Sequence, residues 1–175
     1  MQPYQLIGEN PAIVNIYRLF LYKDLIFSQS AGDQDVEDDG ESEAHNDAEW
    51  SRLAHRYFFG NTVKDERFAN ASIDAMIDKM EEVDRYPTGI ASEVYTYTEP
   101  GDKLRQVIVD VHVWKGLSTW IKPPHDDANG PKDFFQDVVQ GMQAAGVNLY
   151  DENAPMPWDS QCAYHSHALT SKCEG

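Results

Sequence analysis

A chain of 175 residues, 41% of them hydrophobic, is long enough to bury one core, and a single domain is expected. Its formal net charge of −16 argues against nucleic acid or anionic membrane as partner, since phosphate backbones are bound by clustered Lys and Arg that release counterions. Two cysteines, Cys162 and Cys173, are too few for a disulfide framework and fit a reducing intracellular compartment, cytoplasmic or nuclear.

The start, MQPYQLIGENP, lacks a basic segment followed by a long apolar one, and no apolar run approaches the ~20 residues that a bilayer span needs. Asn10 is placed to cap a first helix and Pro11 to occupy its first turn. Within it Ile13, Ile16, Tyr17, Phe20 and Leu21 recur at helical spacing and define one apolar face. Lys23 to Phe27 reads as a short extended piece. Nine acids without a Lys or Arg then run from Asp33 to Glu49. GDQDVEDDGESEAHND is too charged to order itself, so residues 28–47 read as a flexible insertion. It lacks the spaced oxygen ligands and closing glutamate of a calcium-binding hand.

Asp47 is placed to cap the next helix, where Trp50, Leu53, Ala54, Tyr57 and Phe58 fall at i, i+3, i+4, i+7 and i+8, and Gly60 offers a stop. Asp65 caps a third helix with Ala69, Ile73, Met76, Ile77 and Met80 on one stripe. Asp74 and Asp78 lie on the other face, where solvation is expected. Pro87-Thr88 opens a short helix carrying Ile90, Val94 and Tyr97, and Glu99-Pro100-Gly101-Asp102 is a turn ending in a cap. In KLRQVIVDVHVWKG, Leu104, Val107, Ile108 and Val111 suit a helix while Val107, Val109, Val111 and Val113 alternate as in a strand, so periodicity leaves both open. A loop from Ile121 to Gly130 precedes a helix opened by Pro131, with Phe134, Phe135, Val138, Val139 and Met142 inward and an end near Gly146. Residues 147–175, with Pro155 and Pro157, read as an extended, flexible tail.

No Gly-x-Ser-x-Gly, phosphate-cradling loop or dinucleotide fingerprint is present. Asp110 and His112 would share a face only in a strand, where they could form an acid/base or ligand pair. His125-Asp126-Asp127 sits in the polar loop, and His55 lies between apolar positions of the second helix. For all three the ordinary reading is a packed or solvated side chain. The best metal candidate is the tail segment CAYHSHALTSKC, in which Cys162, His165, His167 and Cys173 offer the two thiolates and two imidazoles of a structural zinc site. Its spacing, C-x2-H-x-H-x5-C, departs from recurrent zinc motifs, and His-x-His suits a small site only if the chain is extended there. A metal-free tail is the preferred reading, with a Cys162–Cys173 disulfide as a third. Sequence alone assigns no catalytic, cofactor-binding or metal residue and no cofactor.

Asn10-Pro11-Ala12-Ile13-Val14-Asn15-Ile16-Tyr17-Arg18-Leu19-Phe20-Leu21-Tyr22-Lys23-Asp24 resembles the end of a BTB/POZ domain, Asp/Asn-Pro-x-x-Phe-x-x-Phe-Leu-x-Trp-Leu-Tyr-Thr-Gly. Leu53, Tyr57, Phe59, Gly60, Asp65, Phe68, Asn70, Ile73, Asp74, Ala75 and Ile77 resemble, in order and spacing, the helix pair that follows it in fungal members of that family. Pro87-Thr88, Val94-Tyr95, Thr98 and Leu104 to Val111 resemble the family's next segments, which favours a helix for the valine run. The resemblance covers roughly residues 5 to 142, without the first half of a BTB domain.

The expected fold is mainly α: one small domain of five to six helices with an acidic insertion. The expected organisation is a BTB/POZ-like remnant over 1–27, the insertion over 28–47, the following helical region over 48–146 and the tail over 147–175. The resemblance implies a non-enzymatic adaptor, binding unidentified protein partners and recruiting them to a ubiquitin ligase or transcriptional assembly. Self-association through the usual BTB dimer face, which lies in the part not covered, is left open. The alternative is a small metal-binding protein using the tail ligands, or a truncated fragment without function.

Overall fold

The computed structural model describes residues 11–23, 43–116, 131–146, 155–169 and 173. Among them are six α-helices and no strand: α1 (Pro11–Lys23), α2 (Glu43–Val63), α3 (Glu66–Val83), α4 (Ala91–Tyr97), α5 (Lys103–Lys115) and α6 (Lys132–Ala145). Short 310 turns occupy Thr88–Ile90, Pro157–Asp159 and Gln161–Tyr164. The mainly α expectation is met. Residues 28–42 of the acidic insertion and the loop carrying His125-Asp126-Asp127 lie outside the described residues, whereas 43–47 belong to α2, which starts before the expected Asp47 cap. No helix among the described residues is long and apolar enough to cross a membrane.

The α2–α3 pair forms the centre. Trp50, Leu53, Ala54 and Tyr57 of α2 face Ala69, Ile73, Met76, Ile77 and Met80 of α3, all buried, as the helical stripes require. Fully burying side chains of this size contributes about 1.5–3 kcal/mol each. Gly60 is not the stop that its residue type suggests. α2 runs on to Val63, and a Cβ at position 60 would sit 2.8 Å from the Ala69 nitrogen and 3.0 Å from its Cα. Glycine is there because two helix backbones touch. The reversal falls instead at Lys64, with φ of 59°, where Asp65 N–H bonds the Gly60 carbonyl at 2.9 Å. The Asp65 side chain then accepts from Phe68 N–H at 3.1 Å, the expected cap.

The valine run is helical. Asp102 caps α5 by accepting from Leu104 N–H at 2.9 Å, and Leu104, Arg105, Val107, Ile108, Val109, Val111, His112 and Val113 are all buried. A helix buried on almost every side carries no clean period, which is why its sequence fits two. β-branched residues cost a few tenths of a kcal/mol each in helix propensity, less than their burial returns. Buried Arg105 stacks over the Tyr95 ring at 4.2 Å and donates to Thr98 Oγ1 at 2.9 Å and to the Tyr95 and Thr98 carbonyls, tying off the end of α4.

α6 meets α5 through Phe134, Val138 and Gly141, whose absent Cβ leaves room for Val113 Cγ2. This stripe is narrower than the sequence suggests: Val139 and Met142, expected inward, are exposed. Tyr97 is exposed too, its ring resting on Phe58 at 5.3 Å. α1 builds a satellite cluster, placing buried Phe20 against Phe68 and Tyr17 against Phe59, with the Tyr17 hydroxyl donating to Asp65 Oδ2 at 2.9 Å. Leu21, expected on the apolar face, is 60% exposed.

Within the expected flexible tail, residues 155–169 are folded against the helices. Trp158 and Tyr164 are buried in the main core, and the Tyr164 hydroxyl donates to Asp110 Oδ2 at 2.7 Å. Two aromatic anchors in a proline-bearing segment supply the apolar area that composition alone did not reveal.

Candidate metal centre

The C-terminal segment runs along the outer face of α3, and four polar residues of that helix at spacing four receive it in antiparallel order. Asp78 Oδ1 accepts from Gln161 Nε2 at 2.7 Å. Asp74 Oδ1 lies 2.6 Å from His165 Nε2. The Asn70 side-chain amide donates to the Ser166 carbonyl and accepts from Ser166 N–H, both at 3.0 Å. Glu66 accepts from the N–H groups of Ala168 at 3.1 Å and Leu169 at 2.8 Å. Residues four apart lie about 40° from one another around a helix, so Glu66, Asn70, Asp74 and Asp78 form a gently winding polar stripe that presents a ladder of hydrogen-bonding groups. The expectation of solvation holds for Asp78, which is exposed, and is corrected for Asp74, which is half-buried beside His165. Lys103 adds a further bond, from Nζ to the Ala163 carbonyl at 2.7 Å.

This docking shapes the ligand cluster. Cys162 lies on the last 310 turn, and the chain becomes extended at His165, with φ −89° and ψ 146°. Residues two apart in extended chain point the same way, so His165 and His167 face one side, their ring centroids 5.8 Å apart. The Asn70 amide grips the backbone of the residue between them. The spacing that disfavours a compact loop is thus compatible with a site once the segment is held straight by α3.

Cys162 Sγ, Cys173 Sγ and one nitrogen from each imidazole all lie within 4.8 Å of one another. His165 Nδ1 is 3.1 Å from Cys173 Sγ, and His167 Nε2 is 3.5 Å from both sulfurs. A tetrahedral zinc ion with bonds of about 2.3 Å to sulfur and 2.0–2.1 Å to nitrogen has S···N edges of about 3.5 Å. Two of the three cross-distances, those from His167 Nε2, thus match the edges of a zinc tetrahedron, and the third, His165 Nδ1 to Cys173 Sγ at 3.1 Å, is shorter. In the structure Cys162 and Cys173 are joined as a disulfide. Metal binding requires that bond to be reduced and the sulfurs to separate to about 3.7 Å.

Asp74 completes the arrangement. Its bond to Nε2 places the His165 proton on that nitrogen and turns the Nδ1 lone pair toward the sulfurs, the orientation that a metal-ligating imidazole receives from an outer carboxylate. Partial burial raises the Asp74 carboxyl above the usual aspartate range, with the imidazole of His165 opposing and Asp78 adding to the shift. Two thiolates with two imidazoles select zinc over hard cations such as magnesium or calcium.

The other sequence candidates do not converge. Asp110 and His112 diverge around α5. Asp110 accepts from Tyr164, and burial raises its carboxyl while that hydrogen bond opposes. His112 is buried against Phe134, its Nδ1 2.7 Å from the Ile108 carbonyl, and burial lowers its pKa. His55 is exposed and lies 3.3 Å from Glu93 Oε1 beside Phe58 and Tyr97. Comparison with protein-family models, characterised proteins and solved structures finds no match to this chain. The residues that sequence reasoning missed are Glu66, Asn70 and the ligand-orienting Asp74. Their signal was present as a polar stripe at spacing four, indistinguishable by pattern from a solvated helix face.

Proposed function

We propose that this chain is a non-enzymatic helical interaction module whose C-terminal segment closes onto α3 around a structural zinc ion held by Cys162, His165, His167 and Cys173. The observation that carries the zinc reading is the convergence of four ligand atoms from residues spread over the segment, with Asp74 orienting one imidazole. Zinc held this way contributes folding free energy by tying residue 173 to residue 162 and the pair to the helical core. The adaptor part is supported by the resemblance of the α2–α3 pair to fungal BTB/POZ proteins. The separation of Asp110 from His112 supports a role without catalysis at that pair. Protein partners fit the acidic chain better than nucleic acid does.

Metal analysis of the reduced, full-length chain tests the proposal. We expect one zinc per chain, lost in Cys162→Ser and His165→Ala, and cobalt substitution should give the visible bands of a tetrahedral thiolate site. A reduced chain that is folded and free of metal after exposure to zinc refutes the zinc reading. Recovery of chaperones alone on affinity purification from a fungal lysate refutes the adaptor part.

A further inference from the structure

The ligand set has a second chemistry besides metal binding. Cys162 and Cys173 are disulfide-bonded with Cα atoms 6.1 Å apart, inside the range for an unforced bridge, and both imidazoles still flank the sulfurs. The anchors that hold the segment to the helices make no use of sulfur: Glu66 to Ala168 and Leu169, Asn70 to Ser166, Lys103 to Ala163 and Tyr164 to Asp110. Cys173 is exposed and Cys162 half-buried, so a small oxidant in solution reaches at least one of them.

We propose that the site is a redox-controlled zinc holder with two closed states: a zinc dithiolate when reduced, and a Cys162–Cys173 disulfide that has expelled the metal after reaction with a peroxide-class oxidant. This rests on the zinc reading above. In the forward step one cysteine thiolate attacks a peroxide oxygen. The O–O bond breaks, hydroxide leaves and a sulfenic acid forms. The second thiolate displaces hydroxide from that sulfur and the S–S bond forms. The two sulfurs give up two electrons, hydrogen peroxide accepts them, and two protons convert both hydroxides to water. Zinc leaves because thiolates, not disulfide sulfurs, are its ligands, and two imidazoles alone are half a site. A dithiol reductant returns the electrons and restores the ligand set. Because the sulfur-free anchors persist, the exchange releases metal without opening the fold.

The full-length reduced chain is loaded with one equivalent of zinc and titrated with hydrogen peroxide. Released zinc is read by a chromophoric chelator, thiols by a colorimetric reagent, and the backbone amides of Ser166, Ala168 and Leu169 by hydrogen exchange. The expected result is one zinc released for every two thiols lost, a Cys162–Cys173 linkage in the peptide map, protected amides in both states, and reloading after dithiol treatment. Zinc retained under peroxide, zinc released with sulfinic acids in place of the disulfide, or amide protection lost on oxidation each overturns the proposal. A chain that never loads zinc fails at the first step, which marks the failure of the zinc reading rather than of the exchange.

Discussion

Asp74 offers the sharpest test of whether the cluster is built for metal. In Asp74→Ala every metal ligand is retained, and what is lost is the carboxylate 2.6 Å from His165 Nε2. That contact fixes the tautomer and the ring plane, and removing such an outer partner lowers metal affinity 10- to 100-fold, about 1.4–2.7 kcal/mol. The Asp74 side chain is 31% exposed, so water screens part of its charge and the lower half of that interval is expected. Asp74→Asn keeps an oxygen that accepts from Nε2 and loses only the ionic part, for a decrease of about threefold. Asp78→Ala removes the Gln161 contact one helical turn away and serves as the control, with affinity unchanged. Competition against a chromophoric zinc chelator, under reducing conditions and at fixed salt, gives the three dissociation constants. If Asp74→Ala and Asp78→Ala bind zinc equally well, Asp74 is only another docking residue and the tautomer argument fails.

Two further tests address the fold that carries the site. Gly60→Ala gains about 1 kcal/mol of helix propensity, but its methyl group would meet backbone atoms of Ala69 at 2.8 and 3.0 Å, an overpacking that costs about 1–3 kcal/mol; the urea midpoint should fall, and a rise refutes the close contact. His112 is kept neutral by burial, so its folded pKa lies below the 6.5 of the unfolded chain, which takes up the proton first. Stability from this group is therefore present above pH 6.5 and lost as pH falls through the window beneath it. Asp102 and Asp110, whose folded pKa values are raised by burial, act with the opposite sign just above 3.8. The urea midpoint of wild type minus that of His112→Leu isolates the histidine, and this signed difference should fall as pH drops below 6.5; a constant difference refutes the assignment.

The parts of this molecule that were legible in the sequence are those fixed by local pattern. The stripes of α2 and α3 and the caps at Asp65 and Asp102 follow from spacing and side-chain chemistry that act within a few residues. Gly60 misled because a glycine that ends a helix and one that lets two helices touch are the same letter. The α5 valines were ambiguous because all-round burial erases periodicity. The four metal ligands were readable as a ligand set, but not their convergence, which depends on a straight backbone at His165–His167 imposed by Asn70, 96 residues from Ser166 in the chain. A long-range contact of that kind leaves no local trace.

Asp74 and His165 are separated by 91 residues. During synthesis at ~5–20 residues per second, roughly 5 to 18 s pass between the two leaving the ribosome. In that interval α2 and α3, whose mutual contacts are close in sequence, can pair while the outer side of α3 waits. The stripe Glu66, Asn70, Asp74, Asp78 is hydrophilic, so water is an adequate temporary partner, whereas an oily groove awaiting the same segment would invite aggregation. Polar recognition along this stripe thus keeps the outer side of α3 hydrated until the segment arrives, and confines the apolar surface that waits for it to where Trp158 and Tyr164 dock.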